Sequence, residues 1–240
     1  MGEGYFKQRN GLIAVDIMAA CGVMTPEQWA GLGQAARENN VFRLKMTARQ
    51  TVVVLLPEEN VEKLVAALEP LGLKVAPFGK VVRPVKACPG NQDLCPRAIA
   101  DALGLGIAIQ EKCVGQEVPK DFKIAVAGCP RGCTEPQCAD FGARASGQNR
   151  FDVFIGGRGS TVKPVHGVPL ARKVTAGQVM QLLDFVLERY RNLAQPHERL
   201  CQTLARVGEN QFQPPAELLA APEEEASEFA RFLQGGGGGN

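Results

Sequence analysis

Four cysteines in two glycine- and proline-rich loops constrain this chain more than any other feature. The first loop reads Ala87-Cys88-Pro89-Gly90-Asn91-Gln92-Asp93-Leu94-Cys95-Pro96, and the second Gly128-Cys129-Pro130-Arg131-Gly132-Cys133. The spacing is therefore C-x6-C, then 33 residues, then C-x3-C. Zinc knuckles carry C-x2-C or C-x4-C in both halves, and neither half fits that rule. The tight cysteine run of a bacterial ferredoxin is absent as well. Thiolates are soft ligands, and four of them close the coordination of an iron–sulfur cluster. Gly and Pro let the backbone bend tightly around inorganic sulfur. Free cysteines are also common in cores, but these four lie in turn sequences and not in apolar runs. Cys21, Cys113, Cys138 and Cys201 lack paired spacing and read as core thiols, with Cys138 closest to the second loop.

At 240 residues the chain is long enough for one large domain or two small ones. Its net charge of +2 gives no global basic field, so composition does not point to nucleic acid. Residues 1–11 are polar and contain no apolar signal region. No apolar run approaches the roughly 20 residues of a membrane-spanning helix. These features predict a cytoplasmic protein without a membrane anchor. In that compartment thiols stay reduced, and eight cysteines point to metal ligation over disulfides.

No internal repeat is evident. Residues 11–77 predict a compact unit of strands over 12–17, 41–46, 50–56 and 73–76 and helices over 26–39 and 57–71. Thr25-Pro26-Glu27-Gln28 is a capping-box helix start, with Pro at the first helical position. The order strand–helix–strand–strand–helix–strand is that of a ferredoxin-like α+β unit. The division expected is residues 1–80 for this unit and 81–240 for a second α+β unit holding both cysteine loops. The second unit predicts a helix from Pro96 to about Leu105, strands over 123–127 and 151–155, and a long helix from Thr175 to about Asn192. Pro214-Pro215 and Glu223-Glu224-Glu225 read as weakly packed, and Gly235 to Gly239 as a flexible tail.

A second constellation is basic. Arg43 and Lys45 share one face of a strand, and Arg49 follows in the turn. Arg83 and Lys86 lead into Cys88, Lys120 and Lys123 precede the strand before Cys129, and Arg131 lies inside the second loop. Taken one by one, these are ordinary solvated charges. Their placement beside both cysteine loops instead suits a cofactor or substrate with several negative charges, for which Arg supplies bidentate contacts. Gly156-Gly157-Arg158-Gly159-Ser160, after a strand, is either an anion-approaching turn or an ordinary hairpin turn. His166 and His197 are isolated and read as structural or exposed.

Taken together, these stretches resemble the sirohaem- and 4Fe-4S-containing sulfite and nitrite reductases over roughly residues 11–190. Met24-Thr25-Pro26-Glu27-Gln28 is similar to that family's L-T-P-E-Q, and Thr47-Ala48-Arg49-Gln50 to its T-x-R-Q. Ala87-Cys88-Pro89-Gly90, the stretch from Pro119 to Val126 leading into Gly128-Cys129-Pro130, Ala139-Asp140-Phe141-Gly142 and the strand ending in Gly156-Gly157 complete the match. The chain resembles a small, single-copy member, where relatives commonly carry two copies of the unit. It departs in two places: C-x6-C stands where C-x5-C is common, and Asp121 stands where a lysine is expected.

The resemblance implies a fold in which the ferredoxin-like unit packs on a domain binding sirohaem and the iron–sulfur cluster. Cys88, Cys95, Cys129 and Cys133 would hold the cluster, and Cys133 would also ligate the sirohaem iron. Arg49, Arg83, Lys120 and Lys123 would bind and protonate the substrate. Arg43, Lys45, Gln50, Arg97, Arg131 and Arg158 would contact the carboxylate-rich macrocycle. The implied activity is six-electron reduction of sulfite to sulfide, with reduction of nitrite to ammonia as the alternative. An external one-electron donor protein is implied, and the chain would act as a monomer or homodimer. Two other classes stand beside this one. An iron–sulfur electron carrier would use the same cysteines but has no need of the anion-binding arginines. A zinc-stapled module is disfavoured by the spacing.

Overall fold

The computed structural model describes residues 2–91, 93–159 and 162–220. The first part of the chain contains β1 (Gly2–Glu3), β2 (Tyr5–Lys7), β3 (Ile13–Met18), α1 (Pro26–Glu38), β4 (Arg43–Met46), β5 (Val52–Leu56), α2 (Val61–Leu68), β6 (Lys74–Val75) and β7 (Pro77–Phe78). The sheet runs β2-β3-β5-β4, and β6 also pairs with β3, so the core of the unit has the ferredoxin-like order β6-β3-β5-β4, all antiparallel. Thr25 caps α1 with the expected capping box: its hydroxyl accepts from Gln28 N, and the Gln28 amide returns to Thr25 N. α1 and α2 bury Leu32, Ala35, Leu64 and Leu68 against Val15, Ile17, Val52 and Val54, a core separate from that of the rest of the chain.

The second part contains β8 (Lys86–Ala87), α3 (Ala102–Cys113), β9 (Ile124–Ala127), β10 (Phe141–Gly147), β11 (Arg150–Ile155), β12 (Val168–Val174), α4 (Ala176–Leu193), α5 (Leu200–Val207) and α6 (Ala216–Leu219). These strands form a mixed sheet of order β12-β11-β10-β9-β8, parallel at β8–β9 and β9–β10 and antiparallel elsewhere. α4 carries a second Thr/Gln capping box and buries Val179, Leu182, Leu183, Val186, Leu187 and Tyr190. α3 approaches β8 so closely that a Cβ at Gly106 would stand 2.5 Å from that of Ala87. A glycine there lets the helix lie on the strand that feeds Cys88.

Several expectations are corrected. The helix expected from Pro96 begins only at Ala102, capped by Asp101, whose carboxylate accepts from Gly104 N at 2.8 Å. Residues 96–100 instead turn back toward the second cysteine loop: Ile99 N donates to Gly128 O at 2.8 Å, and Ala98 N to Cys95 O at 3.0 Å. The strand expected from Gln50 begins at Val52, because Gln50 takes a left-handed conformation (φ 60°) inside a turn closed by Thr47 and Thr51. The helix expected from Pro57 starts with a 3-10 turn over Glu58–Asn60 and becomes α-helical at Val61. Of the Pro214-Pro215 pair, Pro214 is buried, two residues from fully buried Phe212, and Pro215 is exposed, so the first proline is packed and not loose. The Glu223–Glu225 run and the glycine tail lie outside the described residues, as does Ser160.

Candidate functional site

The two cysteine loops are pinned to each other by their glycines. A Cβ at Gly90 would lie 3.0 Å from the Gly128 Cα, and one at Gly128 would lie 2.8 Å from Ala100 O. Backbone bonds add to this: Cys88 N donates to Val126 O at 3.1 Å, and Ala102 N to Gly90 O at 2.7 Å. In the second loop Gly132 takes φ 62°, Glu135 N returns to Gly132 O at 2.7 Å, and the Thr134 hydroxyl donates to Val126 O at 2.7 Å. Cys88 and Cys129 are buried, Cys95 is half-buried and Cys133 is exposed. Burial pushes the Cys88 thiol up, the Gly128 and Gly90 N–H groups pull it down, and the nearby Cys133 and Cys129 add repulsion. Among the described residues no three His, Cys, Asp or Glu side chains are grouped to hold a single metal ion.

A cavity of about 790 Å³ opens where the first unit meets the cysteine domain. Arg49, Arg83, Lys123 and Arg158 line it, as do Lys86 and Glu135, each two residues from a loop cysteine. Arg49 comes from the turn between β4 and β5. Its Nη1 donates to Pro84 O at 3.1 Å, and its backbone N to the Thr47 hydroxyl at 3.1 Å. Arg83 lies 4.0 Å from the centre of the Phe78 ring, is buried, and leaves its Nε without a hydrogen-bond partner. Burial, then the neighbouring Arg83, lowers the Arg49 guanidinium to about 10. Burial also lowers Arg83, opposed by Asp121 and Asp16, and lowers Lys123, with Arg199 adding to the effect. Crowding cations that burial disfavours builds a field that a bound anion would relieve.

The other sequence-predicted residues divide. Gln50 is absent from the cavity wall. Its amide donates to Ala87 O at 2.7 Å and accepts from Ala87 N at 2.9 Å, so it braces the strand before Cys88. Arg43 and Lys45 lie exposed on the edge strand β4, and Arg97 and Arg131 are exposed on the cysteine loops; none of the four lines the cavity. Lys120 is half-buried and also outside the wall. The turn at Gly156 packs its Gly157 against the backbone of residues 137–139, where a Cβ would come within 2.3 Å of Gln137 O. Arg158 and Val165 exchange backbone bonds of 2.8 and 3.0 Å, which makes this an antiparallel bridge and leaves the Arg158 side chain for the cavity. His166 and His197 are exposed. Cys21 and Cys113 are core thiols raised to about 12, chiefly by burial. Cys138 is not a core thiol: it is half-buried and lines the cavity. Cys201 is half-buried as well.

Two cavity-lining residues, Arg199 and Asp16, and one beside the second cysteine loop, Arg144, were missed. Arg199 precedes α5 and donates to both Asp121 oxygens at 3.0 Å and to Asp140 at 2.6 and 3.3 Å. Asp16 on β3 is buried in the wall with one carboxylate oxygen unpartnered. Arg144 on β10 stacks 5.2 Å from the Phe154 ring, keeps its Nε unpartnered, and has its Cδ 3.6 Å from a Cβ built at Gly132. No local pattern in β10 points to Arg144, and only tertiary structure brings Arg199 across from 59 residues beyond Asp140.

Comparison with known proteins agrees with this geometry. Residues 78–220 match the family model described as nitrite and sulphite reductase 4Fe-4S domain, and residues 6–71 the nitrite/sulfite reductase ferredoxin-like half domain. The chain is 31% identical over 82% of its length to the NAD(P)H nitrite reductase of Neurospora crassa, but spans only 17% of that protein. It is 29% identical over 86% of its length to the assimilatory-type sulfite reductase of Nitratidesulfovibrio vulgaris, and there it covers 93% of the relative. The fold matches a dissimilatory sulfite reductase I structure with TM-score 0.75 at 13% identity, covering 88% of this chain and 72% of that one. It also matches the NirA protein of Mycobacterium tuberculosis with TM-score 0.70 at 24% identity, covering 88% and 41%. No helix among the described residues is long and apolar enough to cross a membrane. The chain belongs to the nitrite and sulphite reductase 4Fe-4S domain family of oxidoreductases, joined to that family's ferredoxin-like half domain.

Proposed function

We propose that this chain is a sirohaem-dependent reductase that converts sulfite to sulfide with six electrons from an external one-electron donor protein. One observation carries the reading: Arg49, Arg83 and Lys123, drawn from three separate segments, meet in one cavity whose wall also includes neighbours of both cysteine loops. The residues fit the two cofactors. Four thiols on glycine-cradled loops are a donor set for a 4Fe-4S cluster. The buried Arg144 Nε, without a partner and beside Gly132 of the second cysteine loop, suits an anionic, carboxylate-bearing group.

In this reading Cys88, Cys95, Cys129 and Cys133 would hold the cluster, and Cys133 would also hold the sirohaem iron. When bound, the paired cofactors supply electrons one at a time to an oxyanion. Arg49 and Arg83 orient that anion and hold negative charge on its oxygens. Lys123 donates protons toward the departing oxygens, aided by a pKa that burial brings closer to the working pH. Arg158, which lines the cavity, and Arg144 would hold the macrocycle's carboxylates. Gln50 acts at one remove, by fixing the strand that enters the first cysteine loop.

Sulfite is preferred because the relative covered at 93% of its length is named an assimilatory-type sulfite reductase. Nitrite is the second reading, supported by the identity to nitrite reductases, of which this chain spans only a small part. Steady-state oxidation of a reduced viologen dye with each anion tests the assignment. Turnover with sulfite at a higher kcat/KM than with nitrite is expected. A reversed preference would assign the chain to nitrite, and no turnover of either anion by cofactor-replete protein would contradict the reading.

A further inference from the structure

Arg199 was singled out by neither spacing nor motif, yet it lies in the cavity wall, bonded to Asp121, which also lines the cavity, and to the fully buried Asp140. Its side chain is 10% exposed, that of Asp121 19%, and that of Asp140 is fully buried. The fork makes four bonds: Nη1 reaches both Asp121 oxygens, while Nε and Nη2 take the two oxygens of Asp140, which engages four of the five guanidinium N–H groups. Asp140 also accepts from Lys123 N at 2.9 Å, and Lys123 Nζ stands 3.8 Å from Asp121. Two cations and two carboxylates thus balance. Without Arg199 the same stretch of wall would be net negative beside Arg49 and Arg83, and would repel an anion.

Arg199 is also held rigidly from behind. Glu198, its neighbour, accepts from Arg206 at 2.9 and 2.7 Å, from the Thr203 hydroxyl at 3.0 Å and from Gln195 N at 2.9 Å. The Tyr190 hydroxyl of α4 donates to the Glu198 carbonyl. The segment after α4 therefore delivers a guanidinium to the cavity in a fixed orientation. A pair that served folding alone would have no reason to lie in the wall beside five other cations.

We propose that Arg199 is a further anion-binding residue of this cavity, and that Asp121 sets how much of its charge a bound oxyanion meets. The proposal rests on reading the cavity as the sulfite site. Its chemistry predicts opposite signs for two substitutions. Asp121→Asn removes a competing negative charge while leaving Arg199 anchored on Asp140, so anion affinity rises. Arg199→Gln leaves Asp121 in the wall and the buried Asp140 without their guanidinium, so affinity falls. Loss of folding would push both variants the same way.

The experiment is calorimetric titration of sulfite into holoenzyme of the wild type, Asp121→Asn and Arg199→Gln at fixed ionic strength, with cofactor content checked by absorbance. The expected result is a Kd several-fold tighter for Asp121→Asn and about tenfold weaker for Arg199→Gln, the size of one lost charge-assisted contact. Because Arg199→Gln exposes a buried carboxylate and can unfold, the sign for Asp121→Asn decides the matter by itself. Wild-type binding with an unchanged or weaker Kd in Asp121→Asn overturns this inference and leaves the cavity assignment standing. No sulfite binding by wild-type holoenzyme overturns both.

Discussion

The chemistry of this chain turns on a few side chains whose neighbours limit what can replace them. A methyl group at Gly128 would meet Ala100 O at 2.8 Å and the Gly90 Cα at 3.0 Å, all of it backbone. Gly128→Ala is expected to cost about 1–3 kcal/mol, as overpacking does, and to lower iron and acid-labile sulfide per chain. Stoichiometry equal to wild type would show that the loops tolerate the separation. Arg83→Ala is expected to abolish sulfite turnover while both cofactors remain, because Arg83 faces the cavity and its Nε is free for an anion; loss of sirohaem absorbance would reassign it to cofactor binding. Lys123 has its proton loosened by burial and by Arg199. Its charge is therefore lost at lower pH than that of an ordinary lysine, whose value is about 10.4. Sulfite affinity should therefore weaken as pH rises toward that value, and Lys123→Gln should flatten the alkaline arm in a Kd-versus-pH series. At this scale much was legible. The cysteines and Arg49, Arg83 and Lys123 sit in local patterns that a sequence displays. Arg199 was not legible, since its meaning comes from carboxylates 59 and 78 residues away.

Elements set where those residues point. Both Thr/Gln capping boxes, at Thr25 and Thr175, were readable because a cap is a contact between residues three apart. The start of α3 was misread at Pro96. Proline favours a helix's first turn, but residues 96–100 are committed to the second cysteine loop through Ile99 and Gly128. That demand is tertiary and leaves no local mark, whereas Asp101 was available as the true cap. Asp101→Ala should lower stability by about 1 kcal/mol, the usual worth of such a cap, read as a shift in denaturation midpoint. The segment carrying α5 depends on Glu198, lowered to about 2 chiefly by its Arg206 hydrogen bond. Its ordinary value near 4.3 describes the unfolded chain. The carboxylate's contribution is thus whole above that value and lost as pH falls toward 2. Glu198→Gln should lower Tm at neutral pH and reduce the acid slope of Tm between about pH 4 and 2. An unchanged slope would mean that the knot around Glu198 does not hold the segment.

Across the whole molecule, two hydrophobic cores meet along a seam, and the seam is where the cavity forms. Gln50 spans it to the backbone of Ala87, and Gln110 of α3 spans it to Ala19 O at 2.8 Å. The ferredoxin-like unit thus serves as more than a covering layer: its turn carries Arg49 to the wall opposite the cysteine loops. The alternation of strands and helices in residues 11–77 made this unit readable, because each element there is short and α1, α2 and β5 each bury one face. The strands over 141–147 and 168–174 went unread, since their Gly, Ala, Pro and Arg content obscures the alternation that a half-buried strand usually displays. The claim that the seam houses a sirohaem coupled to an iron–sulfur cluster is tested most directly by the absorption spectrum of anaerobically purified protein before and after sulfite. Isobacteriochlorin bands that shift on addition of sulfite are the predicted result. A spectrum with only broad iron–sulfur absorption, unmoved by sulfite, would contradict the account and make the chain an electron carrier.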